Sequence, residues 1–160
     1  MLLDFSTTGC VKISMFSLIE EVLDEWPVEN PVASPAAHHL FQVNEECEKL
    51  SKKDKESFHS MVAKLLYLAK RGRPDILLAV SFLTTRVQAP DQDDKKKLTR
   101  IISYLMGTKD MVLTLGSADI EQLQVYIDAS HAIHGDAKSP TGMIITMGKE
   151  CCWILARQDV

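Results

Sequence analysis

Residues 58–108 read FHSMVAKLLYLAKRGRPDILLAVSFLTTRVQAPDQDDKKKLTRIISYLMGT, and this stretch decides the fold. Met61, Leu65, Leu66, Leu68 and Ala69 fall on one face of a helix. Ile76, Val80, Leu83 and Val87 repeat the pattern, and Leu98, Ile101, Ile102 and Leu105 repeat it again. Arg71-Gly72-Arg73-Pro74 and Ala89-Pro90-Asp91 interrupt the three stripes. The spacing predicts three amphipathic helices joined by short turns, which must pack their apolar faces on one another. Asp54 is the expected cap of the first, and Pro74 and Asp75 open the second. Asp91, Asp93 and Asp94 open the third, where carboxylates suit the positive end of the helix dipole. Arg73 sits at a tight junction that favours a salt bridge or cap. Its partner is Asp75, a C-terminal carbonyl of the preceding helix, or a nucleic-acid phosphate.

The chain has 160 residues, enough for one ordinary domain or two small incomplete ones. At 46% hydrophobic and 25% charged it has the composition of a globular protein rather than a disordered one. No apolar run approaches the length that spans a bilayer, and MLLDFSTTG has no basic region ahead of its short apolar run, so neither a membrane segment nor a signal peptide is expected. Cys10, Cys47, Cys151 and Cys152 lack CxxC spacing and are expected to be reduced, buried thiols. A net charge of −4 opposes avid nucleic-acid binding. The basic residues nevertheless gather in two groups, Lys64, Lys70, Arg71 and Arg73, and Lys95, Lys96, Lys97 and Arg100. Such runs are more often solvated helix faces than ligand sites.

Outside the central stretch, Leu2 to Met15 alternates like a β-hairpin, with Thr7-Thr8-Gly9 as its turn. Phe16 to Trp26 is an expected helix, with Ser17 and Glu20 as a capping box and Pro27 as its stop. Val28 to Ser51 is linker-like, and the adjacent His38 and His39 point apart, which disfavours a metal site. After Gly107 the period shortens to that of strands: Met111 to Leu115, Gln124 to Asp128, Met143 to Met147 and Cys151 to Leu155. The last three predict an antiparallel meander.

LLYLA at 65–69, RPDI at 73–76, Pro90 and YL-x-GT at 104–108 occur in an order that resembles the Pol polyproteins of copia-type retrotransposons, in the segment after the polymerase active site. The later strands resemble the opening of a ribonuclease H domain through Asp128-Ala129-Ser130-His131, Ser139-Pro140-Thr141-Gly142 and Trp153 with Arg157-Gln158. The resemblance implies an α+β fold in four parts. Residues 1–27 are the end of the reverse transcriptase palm hairpin and its following helix, and 28–54 are a linker. Residues 55–109 are a three-helix thumb or connection segment, and 110–160 an incomplete antiparallel three-stranded ribonuclease H-like meander.

By position, Asp128 matches the first metal-ligating carboxylate of ribonuclease H, while Ser130 stands where the family has a second aspartate. The resemblance implies Mg²⁺ in the intact family. Two-metal phosphodiester chemistry needs several convergent carboxylates, and Asp128 is expected to ligate a metal only if other groups complete the site. His131 and His134 beside it do not have the spacing of a known zinc site. The expected activity of the family is RNA-directed DNA synthesis with cleavage of the RNA strand of a hybrid. This chain, ending at Val160, is expected to be catalytically inactive alone and to need no cofactor. It is expected to bind RNA–DNA or DNA duplex weakly, by the backbone, through Lys64, Lys70, Arg71, Arg73, Lys95, Lys96, Lys97 and Arg100. The remainder of the polyprotein is the other expected partner, inside the cell in cytoplasm or nucleus. Two alternatives are a self-associating interaction module with an uncovered sheet, and a ribonuclease H half completed by another chain.

Overall fold

The apolar stripes become helices where their caps allow. The computed structural model describes residues 1–116, 123–129, 140–147 and 150–158, with the backbone alone at 129, 140–141, 147 and 150–158. The chain opens with β1 (Leu2–Asp4) and β2 (Cys10–Ser14), paired antiparallel with Leu3 opposite Ile13. Gly9 turns the hairpin at φ 78°, a left-handed conformation in which a side chain is strained. Helix α1 (Phe16–Glu25) follows, with Ile19 and Val22 inward. The expected Ser17–Glu20 box does not form. The helix starts at Phe16 as expected, but Met15 holds the cap position, two residues before Ser17, with no side-chain cap bond.

Residues 28–51 form no regular helix or strand, apart from one isolated β-bridge between Lys49 and Asp91. Helix α2 (Lys52–Arg71) begins inside the segment read as linker, because Ser51 rather than Asp54 caps it. The Ser51 hydroxyl accepts from the Asp54 amide at 3.1 Å and donates to the Asp54 carboxylate at 2.6 Å. A 3₁₀ turn (Pro74–Ile76) leads into α3 (Leu77–Arg86), and α4 (Gln92–Gly107) follows. Asp91 caps α4 in a capping box: its carboxylate accepts from the Asp93 and Asp94 amides, and the Asp94 carboxylate accepts from the Asp91 amide.

The four helices enclose one core. Phe58, Leu65, Leu68, Ile76, Val80, Leu83, Leu98, Ile101, Ile102 and Leu105 are buried within it, as the stripes require. Leu66 and Val87 are only half buried. Helix α3 is enclosed more fully than its stripe suggested, because Leu77, Ala79 and Phe82 are buried too. Each fully buried Leu, Ile or Phe contributes about 1.5–3 kcal/mol.

Among the described residues two antiparallel sheets accompany the helices. β3 (Leu113–Gly116), which the sequence grouped with the later strands, pairs instead with β2, Leu113 opposite Ile13 and Gly116 opposite Cys10. β4 (Leu123–Ala129), β5 (Pro140–Met147) and β6 (Glu150–Gln158) form the expected meander in the order β4-β5-β6. The α+β class and the three-stranded meander agree with the sequence reading. Cys10 and Cys47 are free thiols, half buried rather than buried. Among the described residues no helix is long and apolar enough to cross a membrane.

The core stripe makes a test. Leu65→Ala is expected to lower unfolding free energy by about 2–5 kcal/mol. Leu78→Ala, at a position 49% exposed on α3, should stay within about 0.5 kcal/mol. Urea denaturation measures both.

Candidate nucleic-acid interface

Arg73, between α2 and the 3₁₀ turn, is only 2% exposed. A guanidinium cannot lose its charge at ordinary pH, so burial demands acceptors. Asp75 accepts from Nε at 3.0 and 3.2 Å and from Nη2 at 2.7 Å. Nη1 donates to the Thr108 carbonyl at 2.8 Å, and Nη2 to the Thr108 hydroxyl at 2.7 Å. Of the partners the sequence left open, Arg73 therefore takes Asp75 together with a carbonyl just past α4, not one at the end of α2. The Tyr104 hydroxyl donates to Asp75 at 2.9 Å, and its ring lies 5.6 Å from the guanidinium. Burial pushes the Asp75 carboxyl upward, but the hydrogen bonds and charge of Arg73, with Tyr104, outweigh it and hold the carboxyl below its ordinary value.

The start of α4 holds a second network. Arg86 donates through Nε to Asp94 at 3.1 Å and through Nη2 to Asp91 at 3.2 Å, and Lys49 reaches Asp91 at 3.4 Å. Burial raises the Asp94 carboxyl, with Arg86 offsetting only part of the rise. Burial also acts on Asp91, yet the Asp94 amide, Lys49 and Arg86 hold it below its ordinary value. The pair Asp93-Asp94 thus serves a helix start.

Most of the expected backbone-binding cations already have partners. Lys64 bonds Glu21 at 3.0 Å and also Glu25, both on α1. Lys95 meets Asp54 at 3.2 Å. Lys97 is 7% exposed, donating to the Gln42 carbonyl at 2.6 Å and pairing with Asp93 at 2.8 Å. Arg100 donates to the Ser34 hydroxyl at 3.0 Å. Lys70, Arg71 and Lys96 are exposed, and among the described residues none of the three has an ion pair or hydrogen bond; Arg71 lies 5.8 Å from the Tyr67 ring.

These three do not form one patch. Lys95 contacts Asp54 at the start of α2, and Arg73 joins the end of α2 to the end of α4. The helices therefore run side by side in the same direction. Sixteen residues of α2 separate Asp54 from Lys70, about 24 Å of helix. Lys70 and Arg71 mark one end of the bundle and Lys96 the other.

Asp128 is exposed near the end of β4, opposite Gly142 of β5. Among the described residues no group of three or more His, Cys, Asp or Glu side chains gathers that could hold a metal ion. One carboxylate does not hold Mg²⁺, which keeps its water shell against so few ligands. Ser130, His131, His134 and Asp136 lie outside the described residues. Sequence reasoning missed the attachments of Arg73 to Thr108 and of Arg100 to Ser34, which join residues 35 and 66 positions apart. No local pattern signals them.

The helical core, the buried junction arginine and the strand-end aspartate belong to a protein class that sequence comparison defines. This chain is related to a segment of the retrovirus-related Pol polyproteins of transposons. It is 36% identical over 95 residues to a protein ascribed to transposon Ty5-1 of Saccharomyces cerevisiae, covering 59% of this chain and 31% of that protein. It is 32% identical over 143 residues to the Pol polyprotein from transposon TNT 1-94 of Nicotiana tabacum, covering 84% of this chain and 10% of that one. For the Pol polyprotein from transposon RE2 of Arabidopsis thaliana the identity is 33% over 121 residues, 74% of this chain and 8% of the relative. The chain thus spans a third or less of the length of these curated relatives. No family model matches it, and no solved structure does.

The Arg73–Asp75 pair sets a pH dependence. The Asp75 pKa is lowered on folding, so its contribution is present above its ordinary value of 3.8 and is lost as pH falls through the folded value. Asp75→Asn should therefore destabilise the protein most at neutral pH. The gap from the parent should narrow below about pH 4, as read by thermal melts across pH 2–7.

Proposed function

We propose that this chain is the part of a copia-type retrotransposon Pol polyprotein that runs from the end of reverse transcriptase into the start of ribonuclease H. In this reading it has no catalysis of its own and is at most a weak binder of template–primer backbone. One coincidence carries the reading. A chain related to transposon Pol polyproteins has its single motif-matched carboxylate, Asp128, on the first strand of an antiparallel meander. The hairpin, helix and three-helix order ahead of it supports the same register along the polyprotein.

Lys70, Arg71 and Lys96 are the exposed groups with charge to offer a phosphate; Lys64, Arg73, Lys95 and Lys97 are paired with carboxylates, and Arg100 gives one Nη to the Ser34 hydroxyl. Contacts of this kind position a duplex without reading its sequence. They are weak singly and sensitive to salt. The rest of the polyprotein, with Mg²⁺, would supply RNA-directed DNA synthesis and hybrid cleavage.

Fluorescence anisotropy with a labelled RNA–DNA hybrid tests this. Three phosphate contacts predict a slope of log affinity on log salt of about −3, falling to about −1 in the Lys70→Ala/Arg71→Ala double variant. Affinity indifferent to salt would overturn the binding claim. Hybrid cleavage with Mn²⁺ that Asp128→Asn abolishes would overturn the claim of no catalysis and favour a ribonuclease H half completed by another chain.

A second reading rests on β4. It is the outer strand of its sheet, and its other edge has no partner strand among the described residues. Leu123, Val125 and Ile127 on one face and Tyr126 on the other are exposed, Ile127 to 68%. Such an edge invites strand addition. Self-association through it predicts a dimer in size-exclusion chromatography that Val125→Lys converts to monomer. A wild-type monomer at all concentrations would remove this reading.

A further inference from the structure

Between the 35–40 loop and the first half of α4 lies a cleft of about 190 Å³, lined by Pro35, Ala36, Ala37, His39, Leu40, Asp93, Lys96, Lys97 and Arg100. Its volume is several times the roughly 30 Å³ share of one water. The small side chains of Ala36 and Ala37 leave the space, and Pro35 has no backbone N–H to bring to it.

The charge balance of the lining is the informative part. Lys97 and Asp93 pair with each other at 2.8 Å and cancel. That leaves Lys96 and Arg100, two positive charges with no carboxylate bonded to either among the described residues. Arg100 commits one Nη to the Ser34 hydroxyl. Its Nε is buried and has no hydrogen-bond acceptor. A guanidinium is a planar fork matched to paired carboxylate or phosphate oxygens, and Arg100 lines the cleft. His39 lines the loop side of the cleft. Two cations with no bonded carboxylate and an imidazole around one cavity form a donor set for an oxyanion.

We propose that this cleft takes one phosphate group, held by Arg100, Lys96 and His39. The phosphate is that of a nucleic-acid backbone or of a free phosphate. The backbone source rests on the proposed function above; the site itself does not. The loop then acts as one jaw and α4 as the other, and the loop's attachment through Ser34 sets the width between them.

Inorganic phosphate, titrated against the 160-residue chain at ionic strength held constant with chloride, tests the site through the ring resonances of His39, with exposed His59 on α2 as the internal control. The expected result is a saturable shift of His39 alone, absent with chloride. Lys96→Ala removes an exposed side chain with no hydrogen-bond or ion-pair partner among the described residues, so its fold is preserved; it should weaken phosphate by about fivefold or more. Arg100→Gln should abolish the shift. A His39 response equal in phosphate and chloride, or unchanged affinity in Lys96→Ala, overturns the site.

A labelled RNA–DNA hybrid separates the two sources. Loss of hybrid affinity in Lys96→Ala, in step with the loss of phosphate affinity, identifies the ligand as a backbone phosphate. Phosphate binding with hybrid affinity unchanged in Lys96→Ala identifies it as a free phosphate. Hybrid binding without any phosphate response at His39 removes the site and leaves the broader reading standing.

Discussion

A buried positive charge that cannot be discharged fixes how the helices meet. Arg73 is 2% exposed, and its guanidinium stays protonated at every pH the fold survives. Every group around it must therefore supply oxygen. Asp75 does so from the next element in the chain, and Thr108 does so twice from the far end of α4. Those bonds tie the α2–α3 junction to the point where α4 ends. The end of α4 in turn sets where the chain leaves for β3, and β3 is the strand that completes the sheet of β2. Removing one partner of such a pair leaves the other charge buried, which costs more than the pair contributes while intact.

The helices were legible because their signal is local and periodic. Leu98, Ile101, Ile102 and Leu105 were expected to share a face, and each is fully buried. The full enclosure of α3 was not legible. Its stripe indicated one apolar face, but α3 is in contact with both α2 and α4, and Leu77, Ala79 and Phe82 are buried as well. Helix starts were legible only to within a few residues, because Ser51 and Asp54 are both competent caps, and in the structure Ser51 is the cap and Asp54 its partner three residues on. The partner of β3 was beyond reach. Alternation identifies a strand but carries no information about a neighbour a hundred positions away.

The candidate site divides in the same way. Lys95, Lys96 and Lys97 look like one basic patch when written in a row. On a helix, successive side chains turn by about 100°, and the three face different surroundings. Lys95 meets Asp54, Lys97 is buried against Gln42 and Asp93, and only Lys96 is left for a ligand. The structural role for Arg73 was legible in the RPDI junction, because a proline-started turn beside an aspartate offers an arginine an obvious partner. The attachment of Arg100 to the 35–40 loop was not, because it depends on where a segment without periodicity comes to rest.

The pairing of β2 with β3 has a consequence for synthesis on the ribosome. Ile13 lies opposite Leu113, so all four helices are threaded between two strands of one sheet. At about 5–20 residues per second, the outer edge of β2 waits some seconds for its neighbour to be translated. The closing strand can add only after all four helices have been synthesised. Until then the outer edge of β2 is unpaired, and an open strand edge is a template for pairing with another chain.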